Sequence, residues 1–218
     1  MQIEKKMTDY YAKRASEYEH IYHKPERQEN LQELQKILSK AFSGLDLLEI
    51  ACGTGYWTHF ASHSAKSIIA TDYNEEVLTI AKQKNYEKCP ITFLKADAYT
   101  LDNINESFSG ALVAFWWFHV TKAKLADFLQ ILHSKLSEDA TVIILDNRYV
   151  EGSSTPINRT DNKGNTYQIR KLSDGSIHEV LKNFPSKDEF NNQIKSFTSD
   201  YTFEELDYFW LAQYKLKK

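Results

Sequence analysis

The stretch Leu47-Leu48-Glu49-Ile50-Ala51-Cys52-Gly53-Thr54-Gly55 decides the fold. A short, largely apolar run of strand length passes straight into two glycines one residue apart, and a short helical segment follows. Glycine lacks a Cβ, so the backbone can turn sharply there and a ligand can lie directly against it. The helix that opens next begins with unpaired N–H groups. Together these features describe a nucleotide-type pocket at the carboxyl end of a sheet strand. A plain tight strand-to-helix turn would use the same residues, so the neighbouring segments have to decide.

Outward from residues 45–51, read as the first strand, short apolar runs recur at residues 67–71, 91–96, 111–115 and 141–145. Helical patterns lie between them. Residues 74–84 start with Asn74 as N-cap and carry Glu75 and Glu76 in the first turn. From Thr121 onward, Leu125, Phe128, Leu129, Leu132 and Leu136 fall at helical spacing. Non-alternating strands separated by crossover helices predict a parallel sheet covered on both faces, an α/β fold.

The chain ends carry different patterns. Residues 10–22 read as an aromatic helix with Tyr11, Ala15, Tyr18 and Tyr22 along one side and Arg14 beside them, and Pro25 opens a second helix bearing Leu31, Leu34 and Leu38. Beyond residue 145, a polar, turn-rich excursion over residues 151–165 leads to two strands, 167–172 and 177–181, around the turn Ser173-Asp174-Gly175-Ser176. Ser186 and Glu189 form a capping-box start, and residues 201–216 read as an antiparallel pair closing the sheet. The expected organisation is one domain over residues 1–218: N-terminal helices (1–44), a core (45–147), a cap (148–185) and a C-terminal helix with strands (186–218).

The composition fits such a domain. A length of 218 residues suits a single core, and 42% hydrophobic with 26% charged residues is ordinary for a globular protein. No apolar run approaches the roughly 20 residues that span a bilayer, and residues 1–6 lack a signal-like segment, so a cytoplasmic protein is expected. Two cysteines, Cys52 and Cys89, make no disulfide framework, and no close Cys/His cluster suggests a metal site. The formal charge of −3 disfavours nucleic acid as a partner, although a local basic patch would escape this count.

Two further strand ends carry acids. Asp72 follows the second strand about 20 residues past the glycines, where a carboxylate can accept both ribose hydroxyls. Asp97, in Lys95-Ala96-Asp97-Ala98, closes the third strand and can accept from an adenine amino group. Taken singly, each is more ordinarily a turn former or a solvated loop residue.

Over residues 46–147 the sequence resembles the class I S-adenosylmethionine (SAM) dependent methyltransferases. The resemblance implies a Rossmann-like, doubly wound, mostly parallel seven-stranded sheet with an antiparallel C-terminal strand, N-terminal helices and a small cap after strand five. It implies SAM as cofactor and S-adenosylhomocysteine (SAH) as product. By analogy Glu49 orients the methionine amino group, and Gly53 and Gly55 pack against the cofactor, with Ala51 on the same loop. Asp72 holds the ribose, Tyr73 borders the adenine, and Asp97 with the Ala98 backbone reads the adenine edge. Ala51 stands where many relatives have glycine, so its backbone is expected to avoid positive φ. A rival dinucleotide pocket would want a third glycine where Thr58 stands.

In the same analogy Phe115 lines the methionine end, Tyr11 of the N-terminal helix meets the methionine carboxylate, and Trp116, Trp117, Asn147 and Arg148 face substrate. Aromatic walls exclude water and attract a sulfonium through their ring faces; the same rings could equally pack against the helix that follows. The Ala114-Phe115-Trp116-Trp117 stretch lacks the Asn/Asp-Pro-Pro-aromatic grip of adenine-amino methylases. His119 is the candidate general base, with a structural role as its alternative. The expected activity is methyl transfer to oxygen, nitrogen or sulfur of a small molecule, by a monomer or homodimer. A protein or RNA methyltransferase, a non-catalytic SAM-binding module and a nicotinamide-dependent oxidoreductase are the competing readings.

Overall fold

The computed structural model describes residues 2–86 and 88–218, with side chains described from Met7 onward. Of the N-terminal stretch read above as lacking a signal, Met1 lies outside the described residues. Helix α1 (Gln2–Arg14) continues into a 3-10 stretch (Ala15–His23), and α2 (Gln28–Ala41) follows a 3-10 turn at Pro25–Arg27. The core then alternates β1 (Asp46–Ile50), α3 (Tyr56–Ala61), β2 (Ser67–Asp72), α4 (Glu75–Lys82), β3 (Ile91–Lys95), β4 (Phe108–Ala114), α5 (Leu125–Ser134) and β5 (Leu136–Asn147). A small antiparallel sheet of β6 (Arg159–Thr160), β7 (Thr166–Lys171) and β8 (Ile177–Leu181) precedes α6 (Lys187–Ile194), β9 (Tyr201–Glu205) and β10 (Phe209–Lys215).

The large sheet has the order β3-β2-β1-β4-β5-β10-β9. Strands β1 to β5 pair in parallel, and β10 runs against both β5 and β9, so it alone is reversed. The chain winds one way from β1 to β3 and the other way from β4, which opens a crevice at the carboxyl ends of β1 and β4. Alternation of side chains along each strand splits the core into two layers. Leu48, Ile50, Val113, Val142 and Ile144 face one side with Phe128 and Leu132 of α5 and Phe190 of α6. Leu47, Leu112, Ile143 and Leu145 face the other with Leu31, Leu34 and Leu38 of α2 and Trp57 and Ala61 of α3. Each such buried Leu or Ile contributes on the order of 2 kcal/mol, so both faces are anchored.

Several expectations shift. The aromatic N-terminal helix starts earlier than residue 10 and tightens to 3-10 winding from Ala15. Leu136 does not continue α5; it starts β5 and pairs with Phe108 of β4, because a four-residue step suits either element and sheet pairing wins. Asn74 occupies the N-cap position of α4, but its side chain makes no capping bond and reaches the Thr8 carbonyl instead. The turn-rich excursion contains the short strand β6, which the sequence pattern did not signal. The hairpin turn is as expected, with Gly175 at φ +83° and its N–H donated to the Leu172 carbonyl.

The cap sheet is fastened to the N-terminal helix. Met7 packs with Tyr167 and Leu181, and Tyr10 packs with Leu172 and Val180. These two small apolar clusters bring α1 and β8 together over the carboxyl edge of the large sheet. The start of α6 has a complete capping box: the Ser186 hydroxyl accepts from the Glu189 N–H at 3.2 Å, and Glu189 accepts from the Ser186 N–H at 3.0 Å. We expect Ser186→Ala to lower unfolding free energy by about 1 kcal/mol, read by urea denaturation, since the cap alone is lost.

Candidate active site

Each strand tip is prolonged by one backbone bond to its neighbour. Cys52 N–H donates to the Thr71 carbonyl at 2.8 Å, Ala96 N–H to Asp72 at 3.0 Å, and Phe115 N–H to Leu145 at 2.9 Å. The Asp72 carboxylate then joins two tips: it accepts the Gly53 N–H at 2.9 Å through Oδ2 and the Asn74 N–H at 2.9 Å through Oδ1. Burial pushes this carboxyl up to about 6, against the pull of those backbone donors.

Gly53 and Gly55 both take positive φ, at +56° and +77°, but they serve different ends. A Cβ on Gly53 would stand in open space 3.8 Å from Tyr18 Cε1, whereas one on Gly55 would strike the Tyr86 hydroxyl at 2.1 Å. Gly53 therefore leaves open space at the cleft, whereas Gly55 is a packing requirement. Ala51 overturns one expectation: it adopts φ +54° despite its Cβ. Phe115 does the same at φ +58°. Such left-handed residues cost about 1 kcal/mol each, and both line the crevice, where strained backbone concentrates at functional sites.

The crevice is a cleft of about 650 Å³. Ala51, Gly53, Asp72, Tyr73, Asp97, Ala98 and Phe115 line it together with Tyr11, Trp116 and His119, so most of the residues singled out in the sequence meet on one wall. Tyr18, Val77, Tyr99 and Lys124 also line it and had no motif to mark them, although Tyr18 belongs to the aromatic stripe of the N-terminal segment. That segment is held down by the Thr54 hydroxyl, which donates to Glu19 at 2.6 Å, and by the Lys84–Glu19 ion pair.

Other expected site residues lie elsewhere. Glu49 sits beneath the glycine loop at 1% exposure, not on the cleft wall. Both its oxygens and the neighbouring Thr58 hydroxyl lack a hydrogen-bond partner among the described residues, and burial pushes its carboxyl up to about 8. Trp117 turns into the core against Phe190 and Trp210, with ring centroids 5.0 and 6.1 Å away, and does not line the cleft. Its neighbour Trp116, partly buried against the same core, lines the cleft. Arg148 is drawn outward to Glu205 at 3.3 Å and the Leu206 carbonyl at 2.6 Å. Asn147 lines a second, adjoining cavity and accepts from Arg27 at 3.0 Å.

His119 is held at both ring nitrogens. Its Nδ1 lies 2.9 Å from the Leu181 carbonyl, which can only accept, so Nδ1 carries the proton and Nε2 accepts from the Tyr11 hydroxyl. Burial, reinforced by the Lys182 charge, drives the imidazole well below its usual range, and burial raises Tyr11 well above its own. The pair is neutral and links α1, the loop after β4 and the cap strand β8. That loop is also fixed by Asp146, whose buried carboxylate accepts Phe118 N–H at 3.0 Å and Asn147 N–H at 2.7 Å.

Comparison with known proteins agrees with this geometry. Residues 47–139 match the family model described as a Methyltransferase domain. Demethylmenaquinone methyltransferase of Lactococcus lactis subsp. lactis (strain IL1403) is 35% identical over 78 residues, which span 34% of this chain and 31% of that relative. Among solved structures, the DhpI–SAM–HEP complex superposes with TM-score 0.77 at 22% identity, covering 97% of this chain and 96% of that one, and the DhpI–SAH complex with TM-score 0.76 at 23% identity, covering 99% and 97%. SAM-bound CalS10, an amino pentose methyltransferase from Micromonospora echinaspora, superposes with TM-score 0.61 at 13% identity, covering 90% and 95%. Residues 47–139 are thus similar to a methyltransferase domain, and the chain shares its fold with these SAM- and SAH-bound proteins.

Glu49 gives this site a pH signature. Its folded pKa lies above the unfolded value, so the stability it contributes is complete below about 4.5 and is lost as pH rises towards about 8. We expect Glu49→Gln to melt near the parent at pH 4.5 and on the order of 5 °C above it at pH 8.5. A melting difference that stays constant between those pH values would contradict a buried, neutral Glu49.

Proposed function

We propose that this chain transfers a methyl group from SAM to an oxygen, nitrogen or sulfur atom of a small molecule. The observation that carries the reading is the meeting of Gly53, Asp72 and Asp97, from three successive strand tips, on one cleft of about 650 Å³. The residues fit the donor: Gly53 leaves open the space a Cβ would fill, and Asp72 and Asp97 offer acceptors for ribose hydroxyls and an adenine amino group. SAM supplies an electrophilic methyl on a sulfonium, and the protein's task is to bind, align and dry the reactants. Phe115 and Trp116 line the cleft and exclude water from it, and Tyr11 with His119 forms the wall nearest the cap.

A small acceptor is supported by enclosure. The cap strands and α1 close over the carboxyl edge through two apolar clusters, leaving a second cavity of about 90 Å³ beside the cleft. CalS10 is named for an amino pentose, a small molecule. Incubation of the full chain with methyl-labelled SAM and a metabolite extract should yield SAH and label in the low-molecular-weight fraction. Label confined to protein or RNA, or no SAH at all, would overturn the reading.

Two substitutions test the donor pocket. Asp72→Ala should weaken SAH binding by roughly tenfold or more in calorimetry, since it removes charge-assisted acceptors from the ribose. Because the Asp72 carboxyl titrates at about 6, parent affinity should also fall as pH drops from 7.5 to 5, and Asp72→Asn should flatten that dependence. Gly53→Val should abolish SAH binding, because its branched side chain occupies the cradle; retained binding would place the nucleoside elsewhere.

A further inference from the structure

The second cavity is electrostatically unlike the rest of the molecule. Arg14, Lys24, Arg27, Arg170 and Lys182 line it, and no carboxylate does. A chain of net charge −3 thus gathers five of its 27 cationic side chains around one small space. They come from the end of α1, Lys24 and the 3-10 turn Pro25–Arg27 before α2, β7 and the residue following β8, so only the closed cap brings them together.

These charges are poorly compensated. Lys182 is 9% exposed, and its ammonium lies 3.0 Å from the centre of the Phe118 ring. Among the described residues its Nζ has no hydrogen-bond acceptor and no ion-pair partner. Arg170 gives one Nη2 bond to Gln168 at 2.7 Å and leaves a buried Nε without a partner. Arg14 rests over the faces of Tyr10 and Tyr18, 5.7 and 5.3 Å from their centres. Arg27 is bound to neutral groups, Asn147 at 3.0 Å and Ser153 at 3.0 Å. Two carboxylates act from outside the lining: Glu26 stands 3.9 Å from Lys24, and Asp146 lies behind Phe118 with its oxygens taken by backbone N–H groups.

Desolvated cations are expensive to gather where the nearby carboxylates, Glu26 and Asp146, stand outside the lining. Burial lowers the affinity of Arg27, Arg170 and Lys182 for their protons, Lys182 furthest of all, with the neighbouring Arg170 charge adding to it. The cavity, about 90 Å³, has room for roughly three waters, the scale of a small headgroup and too small for a nucleotide. Tyr11, Tyr18 and Phe115 line both this cavity and the cleft, so the two spaces meet at the point where donor and acceptor must approach.

We propose that this cavity is the acceptor's anchor and that the acceptor is a small molecule bearing an oxyanion, a carboxylate or a phosphoryl group, held by Lys182 and Arg170 with Arg14 and Arg27. The proposal rests on reading the adjoining cleft as the methyl-donor site. The guanidinium groups supply paired N–H donors suited to oxyanions, and the ammonium supplies a point charge.

The test titrates the full chain, with and without SAH in a chloride-free buffer, with sodium acetate, inorganic phosphate and neutral glycerol, followed by NMR of labelled lysine and arginine side chains. Saturable shifts at Lys182 and Arg170 with acetate or phosphate, absent with glycerol, are expected, and whichever anion saturates at lower concentration names the headgroup. Lys182→Met and Arg170→Gln should each weaken that anion's binding about tenfold or more while SAH affinity stays within about twofold. Lys182→Met also removes an unpaired buried charge, so its melting temperature should not fall below the parent's. Equal responses to glycerol and anions, or undiminished anion binding in both variants, would overturn the proposal even if SAH binds normally. Failure of SAH to bind would instead overturn the donor-site reading, and the titration without SAH would still decide whether the cavity takes an anion.

Discussion

The Asp72 carboxylate is the tie on which the site depends. It binds the Gly53 N–H of one strand tip and the Asn74 N–H at the head of α4, so the glycine loop and the next crossover helix are positioned by one side chain. Parallel strands bring their carboxyl ends to one edge, but they do not by themselves align the loops that leave them. A carboxylate with both oxygens on backbone donors does, and its remaining lone pairs are available to a ligand. The group that ties the loops together also lines the cleft, at the cost of desolvating it.

Burial without full compensation recurs around this edge. Glu49 lies under the loop with both oxygens unpartnered, Asp146 is pushed up to about 7 beneath the loop after β4, and Lys182 is lowered beside it. Ala51 and Phe115 hold left-handed backbone on the two central strand tips. Natural chains are locally consistent except where a site demands otherwise, and Ala51 and Phe115 are such exceptions on the cleft wall, whereas Leu101 and Asp139 take positive φ away from it.

The cap is part of the site. Tyr11 donates to His119, and His119 donates to Leu181, so α1, the loop after β4 and β8 share one chain of hydrogen bonds. The small apolar clusters around Met7 and Tyr10 hold the same elements together. Both His119 nitrogens are engaged within the protein, which leaves no free lone pair for a substrate proton while that geometry persists.

The sequence by itself determined the parallel core, because strand-length apolar runs alternating with amphipathic helices have one economical packing, and it marked Gly53, Asp72 and Asp97 because each sits at a strand end at a fixed spacing. It also marked the α6 capping box and the C-terminal antiparallel pair, whose signals are local. Tertiary structure alone decided what depended on distant neighbours: that Leu136 opens a strand, that Trp117 turns to the core while Trp116 faces the cleft, that Arg148 is drawn away to Glu205, and that Gly55 serves packing against Tyr86. The basic residues of the second cavity are separated by up to 168 positions, between Arg14 and Lys182, and share no motif. Only closure of the cap over the sheet edge brings those charges to one point, and charge proximity is a property of space that spacing along the chain does not encode.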